Sequence, residues 1–288
     1  MVKKSDKENC FDRYLNNLSP DMRAKVKALA DTPPLPVCHD KNRGMPNLCL
    51  RSALFGVIKR GRRKAVKGEM VAAVKGIDIR YTGWRLDQGD FDVLAHALHL
   101  ASKQKEMAGG LVQFTAKGFL QGIGRKSGKS GREWLKDSLR RLIASAVEIN
   151  VEINHGYRSD QYTYAGSLID EFYYNAKDST YFLKINPKLS SLFDSGWTKL
   201  QWQQRLFLKT DLAKWLHGFF ASHRAPYPVK VETLKHLCGS ECKRMTDYRR
   251  KLRTALDELC ATGAIDAWKI DQVDKVHVKK SKKLLGEQ

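Results

Sequence analysis

SHRAPYPVKVETLKHLCGSECKRMTDYRRKLRTALDELCATGAIDAW, residues 222–268, is the stretch on which the interpretation of the whole chain depends. Apolar Val231, Leu234 and Leu237 recur within it at helical spacing. Gly239 is a typical C-terminal stop for that helix, and Ser240 is a typical N-cap for a second one. The stretch therefore predicts a helix, a tight turn and a second helix.

The second helix is predicted to have one buried and one basic face. Its apolar stripe consists of Met245, Tyr248, Leu252, Leu256 and Leu259. The opposite side carries Lys243, Arg244, Asp247, Arg250 and Lys251. Such a helix suits a DNA major groove, where Arg pairs with guanine and an acidic side chain accepts from cytosine; the alternative is a solvated basic face on an ordinary helix. The segment after Gly263 predicts a strand and then a basic wing.

Composition indicates a globular chain of more than one domain with a polyanionic partner. The 288 residues are 42% hydrophobic and 9% aromatic, which is enough to bury more than one core. The formal net charge is +21. Because the basic excess runs through the whole chain, we expect a polyanionic partner, and the basic helix near the C-terminal end makes double-stranded DNA the expected one.

The sequence predicts neither a membrane segment nor a disulfide scaffold. No apolar run approaches the ~20 residues of a spanning helix, and no signal-peptide core follows the basic N-terminus, so we expect a cytoplasmic protein. Six scattered cysteines are expected to be reduced thiols: Cys10, Cys38, Cys49, Cys238, Cys242 and Cys260. His236 lies near Cys238 and Cys242, but no second ligand pair stands at zinc-finger spacing, and we expect no metal and no cofactor.

The first part of the chain predicts an arm followed by a folded domain. Residues 1–44 are polar and basic and predict a poorly ordered N-terminal arm, with one short helix signalled by Ser19-Pro20 and a proline-rich break at residues 32–36. Apolar residues become frequent from Met45, where the first domain is expected to begin. Asp90 is expected to open a helix with an apolar inward face.

A second helix-turn-helix pattern lies near the middle of the chain. Thr115 is the expected N-cap of a short helix that ends at Gly124. Ser130 and Glu133 match a capping box, which predicts the start of the next helix. This helix buries leucines at helical spacing on one side. Its other side is basic and predicts weaker, mixed DNA contacts by Arg132, Lys136 and Arg140.

The remaining patterns complete an α+β fold. Residues 147–153, 161–175 and 181–186 read as strands and predict a three-stranded wing. Thr210 is the expected N-cap of a helix near the start of the second domain. We therefore predict two tandem winged-helix domains, at residues 45–195 and 196–288, the second ending in a basic tail.

No residue pattern in the sequence has the spacing of a known catalytic motif. Gly122 to Ser130 is rich in Gly, Lys and Ser, but the glycines do not fit the phosphate-loop spacing and a helix precedes them. His96 and His99 lack the metalloprotease arrangement, and Tyr173-Tyr174 lacks the metal motif expected beside a nicking tyrosine. The histidines are expected to be core or surface residues and the tyrosines packing groups of a strand, and the chain is not expected to be an enzyme.

The chain resembles the TrfA-type plasmid replication initiators and, more broadly, the RepE-like initiators that bind iterons through two winged-helix domains. The resemblance spans most of residues 45–268. Its most specific motifs are Met45-Pro46-Asn47, Arg51-Ser52-Ala53-Leu54-Phe55, Tyr81-Thr82-Gly83, Ser222-His223-Arg224-x-Pro226-Tyr227-Pro228, Glu232-Thr233 and Cys238-Gly239-Ser240. Arg244-Met245-x-Asp247-Tyr248-Arg249-Arg250 is similar to the family's recognition helix and implies that Arg244, Asp247 and Arg250 face bases.

The resemblance also implies partners. Monomers of such initiators load on repeated origin sites, open the adjacent AT-rich DNA and recruit the host proteins DnaA and DnaB, while homodimers are the inactive form. TrfA-like proteins carry a Gln-Leu-x-Leu-Phe peptide that binds the sliding clamp, and residues 1–44 contain none. Leu189 to Phe193 lacks the leading Gln and falls where the fold needs apolar packing, so clamp binding stays open.

The function expected from this sequence is therefore that of a bacterial, non-enzymatic origin-binding initiator. A transcriptional repressor of winged-helix type shares every DNA-binding feature and remains the alternative. A nicking or priming enzyme would need metal-dependent cleavage or nucleotide polymerisation, and we expect neither.

Overall fold

Two hydrophobic cores organise the chain. The computed structural model describes residues 35–58, 61, 63–104, 111–154, 159–175 and 179–281. The first core runs from Met45 to Trp202 and the second from Leu208 to Val276. Residues 1–34 of the predicted N-terminal arm, which include its short helix, lie outside the described residues. The last three residues of that predicted arm already belong to a strand, Asn42–Pro46.

The first unit begins with short strands that lead into a long buried helix. In chain order these elements are β1 (Asn42–Pro46), α1 (Asn47–Leu50), β2 (Phe55–Gly56), β3 (Ala65–Val71), β4 (Ile77–Trp84), β5 (Leu86–Asp87) and α2 (Gln88–Lys103). The prediction that Asp90 opens the helix is wrong, because Asp87 is the N-cap and accepts hydrogen bonds from the Gly89 and Asp90 amides. Asp90 instead closes a capping box from the third helical position.

A helix-turn-helix follows. Its elements are β6 (Leu111–Thr115), α3 (Ala116–Gly122) and α4 (Lys129–Ile143). The predicted N-cap of α3 is confirmed, since the Thr115 side chain accepts a hydrogen bond from the Gly118 amide. The predicted capping box of α4 is wrong: Gly128 is the N-cap and no side chain caps the helix, so Ser130 already lies in its first turn.

The strands after α4 divide between two sheets. They are β7 (Ala146–Asn154), β8 (Ser159–Gly166), β9 (Ile169–Asn175) and β10 (Thr180–Ile185). The predicted three-stranded wing is wrong, because its middle strand breaks after Gly166. Leu168 turns fully into the core there, and the Ser167 carbonyl accepts from Tyr164 (2.6 Å) and Asn186 (3.0 Å). The sheets have the strand orders β3-β4-β7-β8 and β6-β10-β9.

The end of the first unit returns to its beginning. A 3-10 helix, Pro187–Phe193, precedes β11 (Trp197–Gln201), and β11 pairs antiparallel with β1 from Asn42 opposite Gln201 to Pro46 opposite Trp197. Leu189 and Leu192 of the 3-10 helix are buried, as expected from the packing role predicted for this segment. Leu200 belongs to the first core, so the cores divide later in the chain than the predicted limit at residues 195 and 196.

The second unit repeats part of the first unit's order of elements around its own core. The helix α5 (Trp202–Phe207) connects the units, and its Trp202 belongs to the first core. The second unit then consists of α6 (Asp211–Ala221), β12 (Val229–Lys230), α7 (Val231–Leu237), α8 (Met245–Ala261), β13 (Ile265–Ile270) and β14 (Lys275–Lys280). Thr210 caps α6 as predicted and accepts from the Ala213 amide. The sheet order β12-β14-β13 matches β6-β10-β9, so the second unit repeats the series α2, β6, α3, α4 and hairpin β9-β10, to which the first unit adds the strands β1 to β5, β7 and β8.

A buried ion-pair network joins the two units. Arg205 at the end of the first core donates from Nε to Asp92 Oδ1 of α2 at 2.6 Å, and Lys214 of α6 contacts the other Asp92 oxygen at 2.5 Å. The Arg205 guanidinium also donates to the Gln88 side chain (2.9 Å) and lies over the Phe91 ring (4.2 Å from its centroid). These contacts fix α6 against α2.

Candidate nucleic-acid interface

The predicted apolar stripe forms the buried face of α8. Tyr248, Leu252, Leu256 and Leu259 are fully buried in the second core, and Met245 packs partly against it. The Tyr248 hydroxyl lies 3.7 Å from Cys238 Sγ, and burial first, then Cys238, holds the pKa of Tyr248 well above its usual range. With this face committed to the core, the opposite face of α8 must point outward.

The turn before α8 is longer than predicted. Gly239 has a φ of +62°, which ends α7 as expected, and a β-carbon there would lie 2.8 Å from Ala53 Cβ. Ser240 does not cap α8; its hydroxyl accepts from the Cys242 amide instead. The N-cap is Arg244, in extended conformation and without a side-chain cap bond. Lys243 and Arg244 therefore precede α8 rather than lie on its helical face.

The outer face of α8 carries exposed cations. Arg250 and Lys251 are exposed on the helix, Lys243 and Arg244 are exposed just before it, and Asp247 is half-buried in its first turn. Within the residues that the structure describes, none of these four cations forms an ion pair with a carboxylate. A carboxylate at Asp247 suits the positive end of the helix dipole. On the helix itself the face presents Arg250 and Lys251 with Asp247 near its start, whereas Lys243 and Arg244 lie beside that start and not on the face as predicted.

Contacts on both flanks hold this face in place. Arg249 donates from Nη2 and Nε to the two oxygens of Asp274 (2.8 and 3.1 Å), which ties α8 to the turn between β13 and β14. Glu258 accepts from the backbone amides of Lys209 (2.7 Å) and Thr210 (3.2 Å), which ties α8 to the start of α6. A ligand that meets the outer face therefore meets a fixed surface.

A cavity beside this face adds a cation that the sequence reasoning missed. About 500 Å³ in volume, it is lined by Val57, Lys209, Thr210, Asp211, Leu212, Arg250, Lys251 and Thr254. Lys209 is exposed and belongs to another helix–helix connection. No sequence signal singles it out, because only the tertiary packing of α6 on α8 brings it beside Arg250.

The corresponding helix of the first unit, α4, is less strongly cationic. Arg132 is exposed, whereas Lys136 pairs with Glu133 (3.3 Å) and Arg140 with Asp137 (2.9 Å) on the same helix. The Lys136 ammonium also lies 5.2 Å from the centroid of the Tyr174 ring. These three side chains do share the outer side of α4, but two of them have carboxylate neighbours, so less of their charge is available to a polyanion.

The turn before α4 adds further basic groups. Arg125 and Lys126 are exposed, and the Arg125 guanidinium stacks over Trp134 at 3.5 Å from the ring centroid. Gly124 in this turn has a φ of +68° and packs against Leu206 of α5. The Gly- and Lys-rich sequence that is similar to a phosphate loop is thus a helix–helix turn next to α5.

Other singled-out residues have ordinary environments. His96 and His99 are buried, and burial together with Arg43 lowers the pKa of His96 to about 3 and that of His99 to about 4. Tyr173 and Tyr174 are exposed on β9 rather than packed in a core. Among the described residues no group of three or more His, Cys, Asp or Glu side chains is placed to hold a metal ion.

In the described part of the chain, no helix is both long enough and apolar enough to cross a membrane. Cys38, Cys49, Cys238, Cys242 and Cys260 are free thiols. Cys10 lies outside the described residues. Burial raises the pKa of the Cys238 thiol to about 11, in keeping with a packing role at the end of α7.

Sequence comparison assigns the family. Residues 17–280 match the family model described as TrfA protein. The chain belongs to the TrfA family. It is 31% identical over 264 residues to the plasmid replication initiator protein TrfA of Escherichia coli. That alignment covers 88% of this chain and 65% of the relative, so the chain spans less than two thirds of that TrfA protein's length.

Solved structures provide a comparison of fold for this TrfA-family chain. Domains 2 and 3 of RctB match with a TM-score of 0.56 at 13% identity, over 82% of this chain and 99% of that one. This likeness supports a shared mixed α/β fold. The Pi initiator protein in complex with iteron DNA matches with a TM-score of 0.46 at 12% identity, over 64% of this chain and 88% of that one.

Proposed function

We propose that this chain initiates plasmid replication in the bacterial cytoplasm by binding repeated sites at a plasmid origin. In this proposal each unit is a winged-helix domain, α4 and α8 enter successive stretches of major groove, and the hairpins β9-β10 and β13-β14 are the wings. The chain acts without catalysis. It opens the adjacent AT-rich DNA and recruits the host proteins DnaA and DnaB, with a homodimer as the inactive form.

The exposed cationic face of α8 carries the proposal. Its cations have no carboxylate partners among the described residues, while the helix is fixed by its buried stripe, by Asp274 and by Glu258. A rigid helix that presents Arg side chains outward suits bidentate contacts with guanine edges. Membership of the TrfA family, whose relative is named as a plasmid replication initiator, supports an origin as the DNA target.

Base recognition is tested by comparing two substitutions. Arg250→Ala should cost ~1–3 kcal/mol at one base position and relax sequence preference there, because a bidentate pair is lost. Lys209→Ala, which removes an exposed cation outside α8, should weaken all duplexes alike and lower the salt dependence by about one counterion. The measurement is quantitative binding of the purified chain to a library of repeat variants. Unchanged discrimination in Arg250→Ala would rule out the assigned role.

Strand opening separates an initiator from a repressor. Permanganate footprinting of the saturated origin detects unpaired thymines next to the repeats. Reactive thymines in the AT-rich segment are the expected result. Full occupancy of the repeats without reactive thymines would favour a repressor that only covers its operator.

A further inference from the structure

Phe207 is the most exposed large apolar side chain in the part of the chain that the structure describes. It is 73% exposed at the end of α5, in the connection between the two units. Its exposed neighbours along the chain are polar, Gln203 and Lys209. A single exposed Phe between exposed polar residues of the same segment differs from the contiguous apolar patch that is typical of a protein-docking site.

The backbone on both sides of Phe207 is held in place. Leu206 packs against the first core beside Gly124, where an added β-carbon would lie 3.3 Å from its Cδ2, while Leu208 is buried in the second core. Arg205 is locked into the Asp92 network, and the Lys209 amide donates to Glu258. Phe207 is therefore presented by a segment whose backbone is fixed on both sides, and among its apolar side chains only the Phe207 ring is exposed.

The surroundings of Phe207 favour a polyanion. On one side, Lys209 begins the cavity that it shares with Arg250 and Lys251 of α8. On the other side, the Gly124 turn beside Leu206 continues into exposed Arg125 and Lys126. The segment that carries Phe207 thus runs from Leu206, beside the basic turn that precedes α4, to Lys209, beside the basic edge of α8.

We propose that Phe207 is a wedge that enters the minor groove of the bound repeat, between the two major-groove sites. The inference rests on the proposed function, in which α4 and α8 lie in successive major grooves on one side of the duplex. The connection between the units then faces the intervening minor groove. Phe is one of the side chains that proteins insert between base steps, where it unstacks them and kinks the duplex towards the major groove.

The test uses the full chain and a duplex that the wild-type protein itself selects from a random-sequence library. In a duplex of about three helical turns, 2-aminopurine replaces single bases across the centre of the selected site, because its fluorescence rises on unstacking. Labels at the two ends report bending by energy transfer. The variants are Phe207→Ala and Phe207→Leu, with Met70→Ala as a control that truncates a half-exposed apolar side chain on β3.

The wild-type chain, Phe207→Leu and Met70→Ala should raise the fluorescence at one central step and bend the duplex. Phe207→Ala should lose both signals and bind roughly tenfold more weakly, as for loss of one aromatic–base stack. Wild-type levels of fluorescence and bending with Phe207→Ala would refute the wedge role of Phe207. Tight binding by the wild-type chain without any rise in fluorescence would refute it as well. Both results leave the proposed function intact. If the wild-type chain selects no duplex, the proposed function fails and the wedge with it.

Discussion

Asp92→Asn should destabilise the joint between the two units far more than an ordinary ion-pair loss. Asp92 and Arg205 have side chains that are 2% and 1% exposed, and the second carboxylate oxygen accepts from Lys214. Burial on its own raises the pKa of Asp92, but Arg205 and Lys214 outweigh it and hold that pKa below its usual range. The carboxylate is therefore ionised at neutral pH, and the amide would leave Arg205 buried without a counter-charge.

The expected loss is ~3–5 kcal/mol, the usual cost of removing one partner of a buried pair. That is a large part of the ~5–15 kcal/mol that stabilises a typical domain. Urea unfolding followed by tryptophan fluorescence measures it, since Trp202 and Trp215 are buried close to the joint. Each core should be followed separately, because a chain with two cores need not unfold in one step.

The matched control is Asp137→Asn, which makes the same chemical change in an exposed pair with Arg140. It should cost less than about 1 kcal/mol. The double variant Asp92→Leu with Arg205→Met should recover much of the loss, because apolar packing can replace a buried pair. Equal destabilisation by Asp92→Asn and Asp137→Asn would refute the reasoning.

Two further outcomes follow from the buried groups and the turns. Burial, followed by Arg205, lowers the pKa of His217 to about 3. Because the unfolded imidazole has a higher pKa of ~6.5, protonation favours the unfolded chain, so His217 leaves stability unchanged above pH ~6.5 and lowers it by ~1.4 kcal/mol per pH unit on acidification towards pH 3. His96 and His99 add to the same slope because their pKa values are also lowered, so His217→Gln should remove one such share from the difference in unfolding free energy between pH 7 and pH 5, and an unchanged slope would contradict the assignment. Gly239 and Gly263 both have a positive φ, +62° and +70°. In Gly239→Ala the added methyl group would also lie 2.8 Å from Ala53 Cβ, whereas in Gly263→Ala it would enter open space. In thermal unfolding, Gly263→Ala should lower the free energy of unfolding by ~1–2 kcal/mol. Gly239→Ala should lower it clearly more. Equal costs would contradict the close packing of the two units at Gly239.

The sequence predicts what depends on local pattern. The stripe from Tyr248 to Leu259 identified the buried face of α8 because helical periodicity survives folding, and Thr115 and Thr210 were found because an N-cap is a local hydrogen bond. Capping rules failed where two candidates compete: Gly128 lies before Ser130, and Asp87 lies before Asp90.

The parts that could not be predicted depend on distant residues. The break between β8 and β9 follows from burial of Leu168 and from bonds to Asn186, which lies beyond the next hairpin. Asp92 and Arg205 are far apart in sequence, and nothing local marks either as half of a buried pair. Lys209 joins the candidate interface for the same reason, through the packing of α6 on α8. The candidate contacts of α4 and α8 with DNA stay predictions.

The pairing of β1 with β11 has a consequence for synthesis of the chain. Asn42 has no strand partner until Gln201 has left the ribosome, so the first unit cannot close while it is being translated. By then the segment that begins the second core at Leu208 follows directly behind. Nascent chains that are released early would expose the edge of β1 and the core beneath it, which makes truncated products prone to aggregate.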